Sequence, residues 1–502
     1  MSEVVPASSI NRYLTFPDVM GNEEETFMQI KFANKWKTPY DLTRNLEKYL
    51  PDDVPYAGNI SFFLANGGKI YVGGVLQDPS GFFSSSNDNI ERTTPECSSP
   101  KEAAIYIDAH EQLIRDIAQK YTTKIAKANQ RPTTIVIHRR VVDSVGNRRG
   151  SHDNFAIDEP ALYEKWPKYK AALVGYLATR SFIVGAGHVA EDGYRYAQKI
   201  DGLKEIIGYG YEGYMFRPIQ QVGGTYRDST GDRLEIRCSD INISPWAVQM
   251  RIGTAALLLT ATQTELVAKI TNNMLFMHND PIAYAKLANR LNFRKSGKIK
   301  TSRPLYEAVD FQDRLADIYL GELEQYIDMP DEYYKIASEL KRYCDDYRKV
   351  LLGELALSDL ADRADFAAKF TKLQADIETQ REFGMSPSVE FAKKIDLKYD
   401  YIAITAQPDG RVSSQVGFGH RLKLKGNFKM PITDADVRKA YHYPPQGTRA
   451  VIRGNAIRNY NVEYVDWNGF EFVSPGVKIR TDNPLQTMLS DSDVKAMDIH
   501  RR

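Results

Sequence analysis

The sequence predicts an α+β fold, with two or three domains or one large catalytic domain carrying an appendage. Strand-like runs of aromatic and β-branched residues lie in the first half, at 60–64, 69–72 and 133–138. Residues 305–380 instead carry Leu, Ala, Glu, Lys and Asp at helical spacing, which predicts a helical bundle or a long hairpin. Near Met430 the composition shifts, and 461–477 reads as paired strands around Asn468-Gly469. The boundaries follow: a flexible leader over 1–18, a main domain over 19–430 and a small C-terminal domain over 431–502.

The elements can be justified in order. Gly21 to Phe27 opens a strand whose alternation sends Glu23 and Glu25 to one face and Glu24 to the other. Two neighbouring carboxylates on one face repel, and divalent metal relieves that repulsion; the plainer reading of the same motif is a solvated acidic edge. The runs at 60–64 and 69–72 flank Asn66-Gly67-Gly68 and predict a β-hairpin. Residues 73–89, rich in Gly, Ser, Asn and Asp, predict a loop. Ser98 and Ser99 precede an apolar-periodic helix over 100–120, and the β-branched run 133–138 reads as a buried strand. After turn-rich 143–150 comes Ser151 to Phe155. Residues 162–180 predict a helix interrupted at Pro167, 233–237 a strand, and 245–269 one long helix.

Composition excludes several classes. Lys+Arg 66 against Asp+Glu 65 leaves a net charge of +1, which gives no reason to expect nucleic acid or membrane as partner. Cys97, Cys238 and Cys344 are too few and too scattered for a disulfide framework or a zinc site, so a reducing compartment is expected. No basic region followed by an apolar run opens the chain, and the apolar stretch around 254–260 is too short to span a bilayer. A cytoplasmic protein is the expectation. Thirty tyrosines fit a soluble enzyme with polar-tipped aromatics near its clefts.

Candidate chemistry lies in three places. His152 stands beside Asp153 and Asn154, Glu91 and Glu96 flank a short run of small residues, and Arg449 and Arg453 are spaced i, i+4. A lone histidine is more often a hydrogen-bonded structural residue than a ligand. The arginine pair reads equally as a solvated basic face or as a phosphate clamp, since the guanidinium fork suits phosphate.

In order along the chain, these segments resemble the Pup ligase and depupylase family. Met20-Gly21-Asn22-Glu23-Glu24-Glu25 is similar to its MGxExE opening, and Phe63 to Val72 to its xLxNGxRLYxD hairpin. Residues 89–97 resemble HPEYxTPEC, and 143–155 resemble DSxGNxxGxHENY. Tyr176 to Arg180 with Gly185-Ala186-Gly187 is similar to FLVTRxxxxGAGK, and Ser239 to Ser244 with 253–257 to GDxNxxE…GTxALV. Residues 444–450 with Arg453-Gly454 resemble PPxxTRAxxRG.

The resemblance implies a glutamine-synthetase-like fold: a curved antiparallel sheet forming a cradle, backed by helices, with a small C-terminal α/β domain. It implies ATP and Mg²⁺ as cofactors, and a γ-phosphate passed to the C-terminal Glu side chain of a small protein, Pup. An amine then attacks the acyl phosphate in the ligases; depupylases hydrolyse the amide instead. Carried over residue by residue, Glu23, Glu25, Glu91 and His152 would be metal ligands. Arg227 and Arg449 would contact phosphates, while Arg453 and Trp467 would line the nucleotide side.

Four departures from the pattern stand out. The family's Asp after the hairpin is Gly73 here, followed by an insertion in which Asp78 and Asp88 are candidate replacement bases. Glu235 occupies the place of a metal-binding His and is itself a competent Mg²⁺ ligand. The segment RDEPHAD is shortened to Arg227-Asp228-Ser229-Thr230, and Asp153 replaces a Glu. The leading expectation is an ATP-dependent isopeptide ligase acting on Pup or on another Glu- or Gln-ending protein or peptide, with a protein lysine as acceptor. A depupylase- or deamidase-like hydrolase, and an ATP-binding non-catalytic relative that has lost the Asp, remain open beside it. The short stretch 31–59 favours the ligase, and Thr94-Pro95-Glu96 and Gly150-Ser151-His152 the depupylase.

Overall fold

The computed structural model describes residues 16–32, 35–37, 39–58, 61–72, 89–142, 149–157, 166–208, 213–219, 232–274, 280–292, 299, 302–472, 477–481 and 485–498. The first eight strands are β1 (Met20–Phe32), β2 (Lys35–Lys37), β3 (Tyr56–Ala57), β4 (Ser61–Leu64), β5 (Lys69–Val72), β6 (Asn89–Thr93), β7 (Thr133–His138) and β8 (Ser151–Ile157). They belong to a 13-stranded sheet whose main path runs Glu205–Ile207, Tyr214–Ile219, Asp232–Ile236, β8, β1, β6, β5, β4, β3. Tyr401–Ala406 pairs with β7 and with Val412–Val416.

The acidic strand lies at the centre of this sheet, not at a solvated edge. β1 has 13 residues, long enough for two partners on each side. β8 pairs along 20–24 and β7 along 27–31 on one side; β6 pairs along 23–27 and β2 along 30–32 on the other. All pairs of the sheet are antiparallel among the described residues except Glu205–Ile207 with Tyr214–Ile219, which is parallel. The α+β class expected from the sequence, a largely antiparallel sheet backed by helices, is the class observed.

The helix Pro100–Asn129 packs against β1, β7 and Tyr401–Ala406, and against the helix Pro245–Thr262. It runs nine residues past the expected end at 120. Its start is secured reciprocally. The Ser99 side chain accepts from the Glu102 N–H at 3.2 Å, and Glu102 accepts from the Ser98 N–H at 2.7 Å.

The helix Pro245–Thr262 has every residue buried, so no polar stripe marks where it ends. The single helix expected over 245–269 is two, because Thr262 and Thr264 turn their hydroxyls onto the carbonyls of Leu259 and Ala261, at 2.9 and 2.7 Å. Thr264 Oγ1 then accepts from the N–H of Leu266, where the helix Leu266–Asn272 begins. Residues 162–165 lie outside the described residues, and from 166 onward Pro167 is helical. It is the second residue of Trp166–Thr179, where its missing N–H has no intrahelical partner to lose. The region 305–380 resolves into Arg303–Gly321, Asp331–Leu352 and Asp365–Glu382, the first two packed together.

A second hydrophobic cluster forms around the helix Ala450–Asn459 and the three-stranded sheet Val462–Asp466, Gly469–Phe472, Lys478–Arg480. Ala57, Phe63 and Ala65 of the N-terminal hairpin region complete it. The three cysteines are buried free thiols. Among the described residues no helix is long and apolar enough to cross a membrane.

Candidate functional site

Register builds the site. Directly opposed residues of an antiparallel pair share a face, so the pairings define rows across the sheet. One row is Lys69, Thr93, Glu23, His152; the next is Tyr71, Glu91, Glu25. Glu235 lies opposite Asn154, two residues beyond His152 on β8. One face of four strands therefore carries Glu23, Glu25, Glu91, His152 and Glu235, which the sequence spreads over more than two hundred positions.

Their side chains converge. His152 Nδ1 lies 3.2 Å from a Glu23 oxygen and 3.2 Å from a Glu235 oxygen. One ligand atom from each of the three falls within 4.8 Å of the others. Asn89 Nδ2 donates to Glu25 at 3.3 Å and to Glu91 at 3.4 Å, tying the second row together. Tyr71 donates its hydroxyl to Glu23.

Electrostatics separate the carboxylates into two kinds. Burial pushes the Glu23 carboxyl upward, but His152, the Tyr71 hydroxyl and the Arg233 charge overcome it and hold Glu23 well below the usual range. For Glu91, burial and the charges of Glu23 and Glu25 act in the same direction and push the carboxyl up to about 8. A cation bound beside Glu91 would oppose both effects and favour its ionised form. The donor set is suited to a hard divalent ion: four carboxylates and one imidazole whose Nε2 is buried with no hydrogen-bond partner.

Gly150 makes the convergence possible. A Cβ there would stand 2.4 Å from His152 Nε2 and 2.6 Å from Glu25 Oε1. Gly150→Ala is expected to force the two side chains apart and to weaken divalent-metal binding by about 10- to 100-fold, on the scale of perturbing a ligand's immediate support. Calorimetric titration with Mn²⁺ checks this; an unchanged affinity would reject the arrangement.

Arg449, Arg453 and Trp467 stand together in a clasp around Glu96. Arg449 Nε lies 2.9 Å from Glu96, and Arg453 Nη2 lies 2.5 Å from it. Arg453 also donates to the carbonyls of Gly67 and Trp467, at 2.8 and 3.2 Å, and its guanidinium lies 4.8 Å from the Trp467 ring centre. Burial alone would raise the Glu96 carboxyl; Arg453 and Arg449 bring it down to about 2. Both guanidiniums are thus engaged in joining the hairpin turn, the end of β6 and the C-terminal sheet. Lys69 lies between clasp and floor, 5.3 Å from the Phe63 ring centre and 4.8 Å from that of Tyr71. Arg227, Asp78, Asp88 and Gly73 fall outside the described residues.

The motifs alone did not single out Tyr71, Asn89 or Lys69 as parts of the site. Their signal was present, since each shares a strand and a parity with a candidate ligand or with the hairpin. It becomes usable once β5, β6 and β1 are known to be neighbours.

Residues 19–471 match the family model described as Pup-ligase protein. The chain belongs to the Pup-ligase family. Among its relatives, the Pup--protein ligase of Bifidobacterium longum (strain NCC 2705) is 24% identical over 487 residues, spanning 94% of this chain and 92% of that one. The Pup deamidase/depupylase of Mycobacterium tuberculosis (strain ATCC 25618 / H37Rv) is 23% identical over 469 residues, 89% of this chain and 82% of that one. In fold the chain is similar to the ligase PafA as solved in complex with the prokaryotic ubiquitin-like protein Pup. The TM-score is 0.71 at 19% identity, covering 96% of this chain and 93% of that one. PafA in complex with ADP is similar with a TM-score of 0.66 at 18% identity, covering 89% and 91%.

Proposed function

We propose that this Pup-ligase family member is an ATP- and Mg²⁺-dependent carboxylate–amine ligase. It phosphorylates the C-terminal Glu side chain of a small Pup-like protein and joins it to an amine, with a protein lysine as the acceptor. The observation that carries this reading is the meeting of Glu23, His152 and Glu235 within 4.8 Å on the sheet floor, in a member of this family. Glu23, Glu25, Glu91, Glu235 and His152 are the residues that would hold the metal. Bound there, Mg²⁺ supplies charge neutralisation for phosphate oxygens.

The chain's own residues supply the rest. Tyr71 and Asn89 orient the carboxylates through their hydrogen bonds. The clasp of Glu96, Arg449 and Arg453 holds the small C-terminal region, taken as 431–502, beside the floor, with Trp467 facing the nucleotide side. Arg227 is assigned to phosphate, and Asp78 or Asp88 to accepting the proton of the attacking amine; sequence alone supports these assignments.

The test is release of ADP and phosphate from Mg-ATP, with and without a Glu-ending small protein, followed by mass analysis for a lysine conjugate. Carboxylate-dependent turnover with conjugate formation is expected. Nucleotide binding without turnover would overturn the reading in favour of a binding protein. A relative named Pup deamidase/depupylase matches at almost the same identity as the ligase, so a preformed conjugate belongs in the same assay. Cleavage in place of joining would assign the hydrolytic direction.

A further inference from the structure

The reverse face of the floor is built from buried ions, and each sits next to a candidate metal ligand in sequence. Glu24 lies between Glu23 and Glu25, Arg92 follows Glu91, and Asp153 follows His152. All three are essentially inaccessible, at 1%, 3% and 0% exposure. Asp153 accepts from Asn22 Nδ2 at 3.0 Å and from Ser239 Oγ at 2.6 Å, and Arg251 Nε lies 3.2 Å from it.

Glu24 is gripped from both sides of β1. From the β6 side comes Arg92, its directly opposed residue, which donates to Glu24 and also to Thr26 Oγ1 at 2.6 Å. One guanidinium thus holds two successive inward rungs of β1. From the β7 side comes Arg139, 3.3 Å from Glu24 and paired in turn with Glu111 on the helix Pro100–Asn129.

We propose that the Glu24–Arg92 pair is a positioning element: it locks the register and spacing of β1 against β6, and so brings Glu23, Glu25 and Glu91 together. The inference rests on reading the floor as a metal site. Net stability is a poor reason for such a pair, because a buried ion pair is often no more stabilising than apolar residues of the same volume. Register is the better reason. Slipping β1 by one residue would turn Glu23 and Glu25 into the back layer and Glu24 onto the floor. The pair resists that slip, because Arg92 meets both Glu24 and Thr26 only in the native register.

The experiment uses Mn²⁺ as probe, titrated into the full chain and followed by electron paramagnetic resonance, with circular dichroism and melting temperature in parallel. The double variant Glu24→Leu/Arg92→Met removes both charges and keeps the bulk. It is expected to fold with native circular dichroism and to bind Mn²⁺ about 10-fold or more weakly. Thr26→Val and Arg92→Lys each loosen the grip without burying a lone charge. Both are expected to weaken Mn²⁺ binding several-fold while the metal-free chain keeps native circular dichroism and loses no more stability than one buried hydrogen bond supplies, whereas a purely structural role would lower the melting temperature and leave Mn²⁺ affinity unchanged. Wild-type Mn²⁺ affinity in the folded double variant overturns the proposal. So does wild-type affinity in both single variants, should the double variant fail to fold. Absence of Mn²⁺ binding by the wild-type chain itself would overturn the metal-floor reading, a separate result seen before any variant is compared.

Discussion

Glu23→Gln is expected to remove nearly all metal-dependent ATP turnover while leaving the fold intact. His152, Tyr71 and Arg233 favour the ionised form of Glu23 against its burial. Glu23 is also the member of the convergent trio nearest the middle of the sheet, with His152 and Glu235 on one side and Glu91 on the other. The amide keeps the shape but offers no negative charge. Metal affinity and turnover should fall by about 100-fold or more, in line with losing a principal electrostatic contributor. Stability without metal should hold or rise slightly, because Glu91 loses a repelling neighbour. Paired measurements of ADP release and thermal melting decide the matter. A variant that binds Mg-ATP as tightly as the wild type would sink the site assignment.

Asp365→Ala is expected to produce a large loss of stability. Asp365 is fully buried at the head of the helix Asp365–Glu382. Its carboxylate accepts from the Ile243 and Ser244 N–H groups at 3.2 and 3.1 Å, from Asn242 Nδ2 at 3.0 Å and from the Tyr399 hydroxyl at 2.8 Å. It thereby anchors the turn leading into the fully buried helix Pro245–Thr262. Truncation would orphan four buried donors at about 1–3 kcal/mol each. With partial rescue by entering water, a loss of about 4 kcal/mol is expected in chemical denaturation. A loss below about 1 kcal/mol would mean that the donors find other acceptors.

Much of this architecture is legible in the sequence where the signal is local. The run Thr133–His138 is a strand from end to end, and the Ser99 cap marks a helix start through its own side chain. The three helices between Arg303 and Glu382 show themselves because each has a wet face as well as a dry one. Pro245–Thr262 has no wet face, so nothing in its pattern marks where it ends. The candidate site divides in the same way. Glu23 and Glu25 share a face by alternation alone, and the family motifs supply Glu91, His152 and Glu235. Arg92 and Arg139 as partners of Glu24 depend on pairing between segments about 70 and 115 residues away, which periodicity cannot report. Arg449 and Arg453 read in the sequence equally as a solvated basic face or a phosphate clamp, because nothing local reveals that Glu96 lies against both.

The Glu96 clasp also has a meaning in time. Glu96 and Arg449 are 353 residues apart in the chain, and Arg453 lies 357 from Glu96. At about 5–20 residues per second of synthesis, about 18 to 70 s separate the two ends at the ribosome. The floor strands are all made by Ile236, but the hairpin bearing Phe63 and the carboxylate of Glu96 wait for about the last ninth of the chain before either is covered. For that interval the newborn protein displays an unpaired acid beside an apolar surface, which is what a holding chaperone binds. A chain cut short before Arg449 would keep that surface open for its whole life.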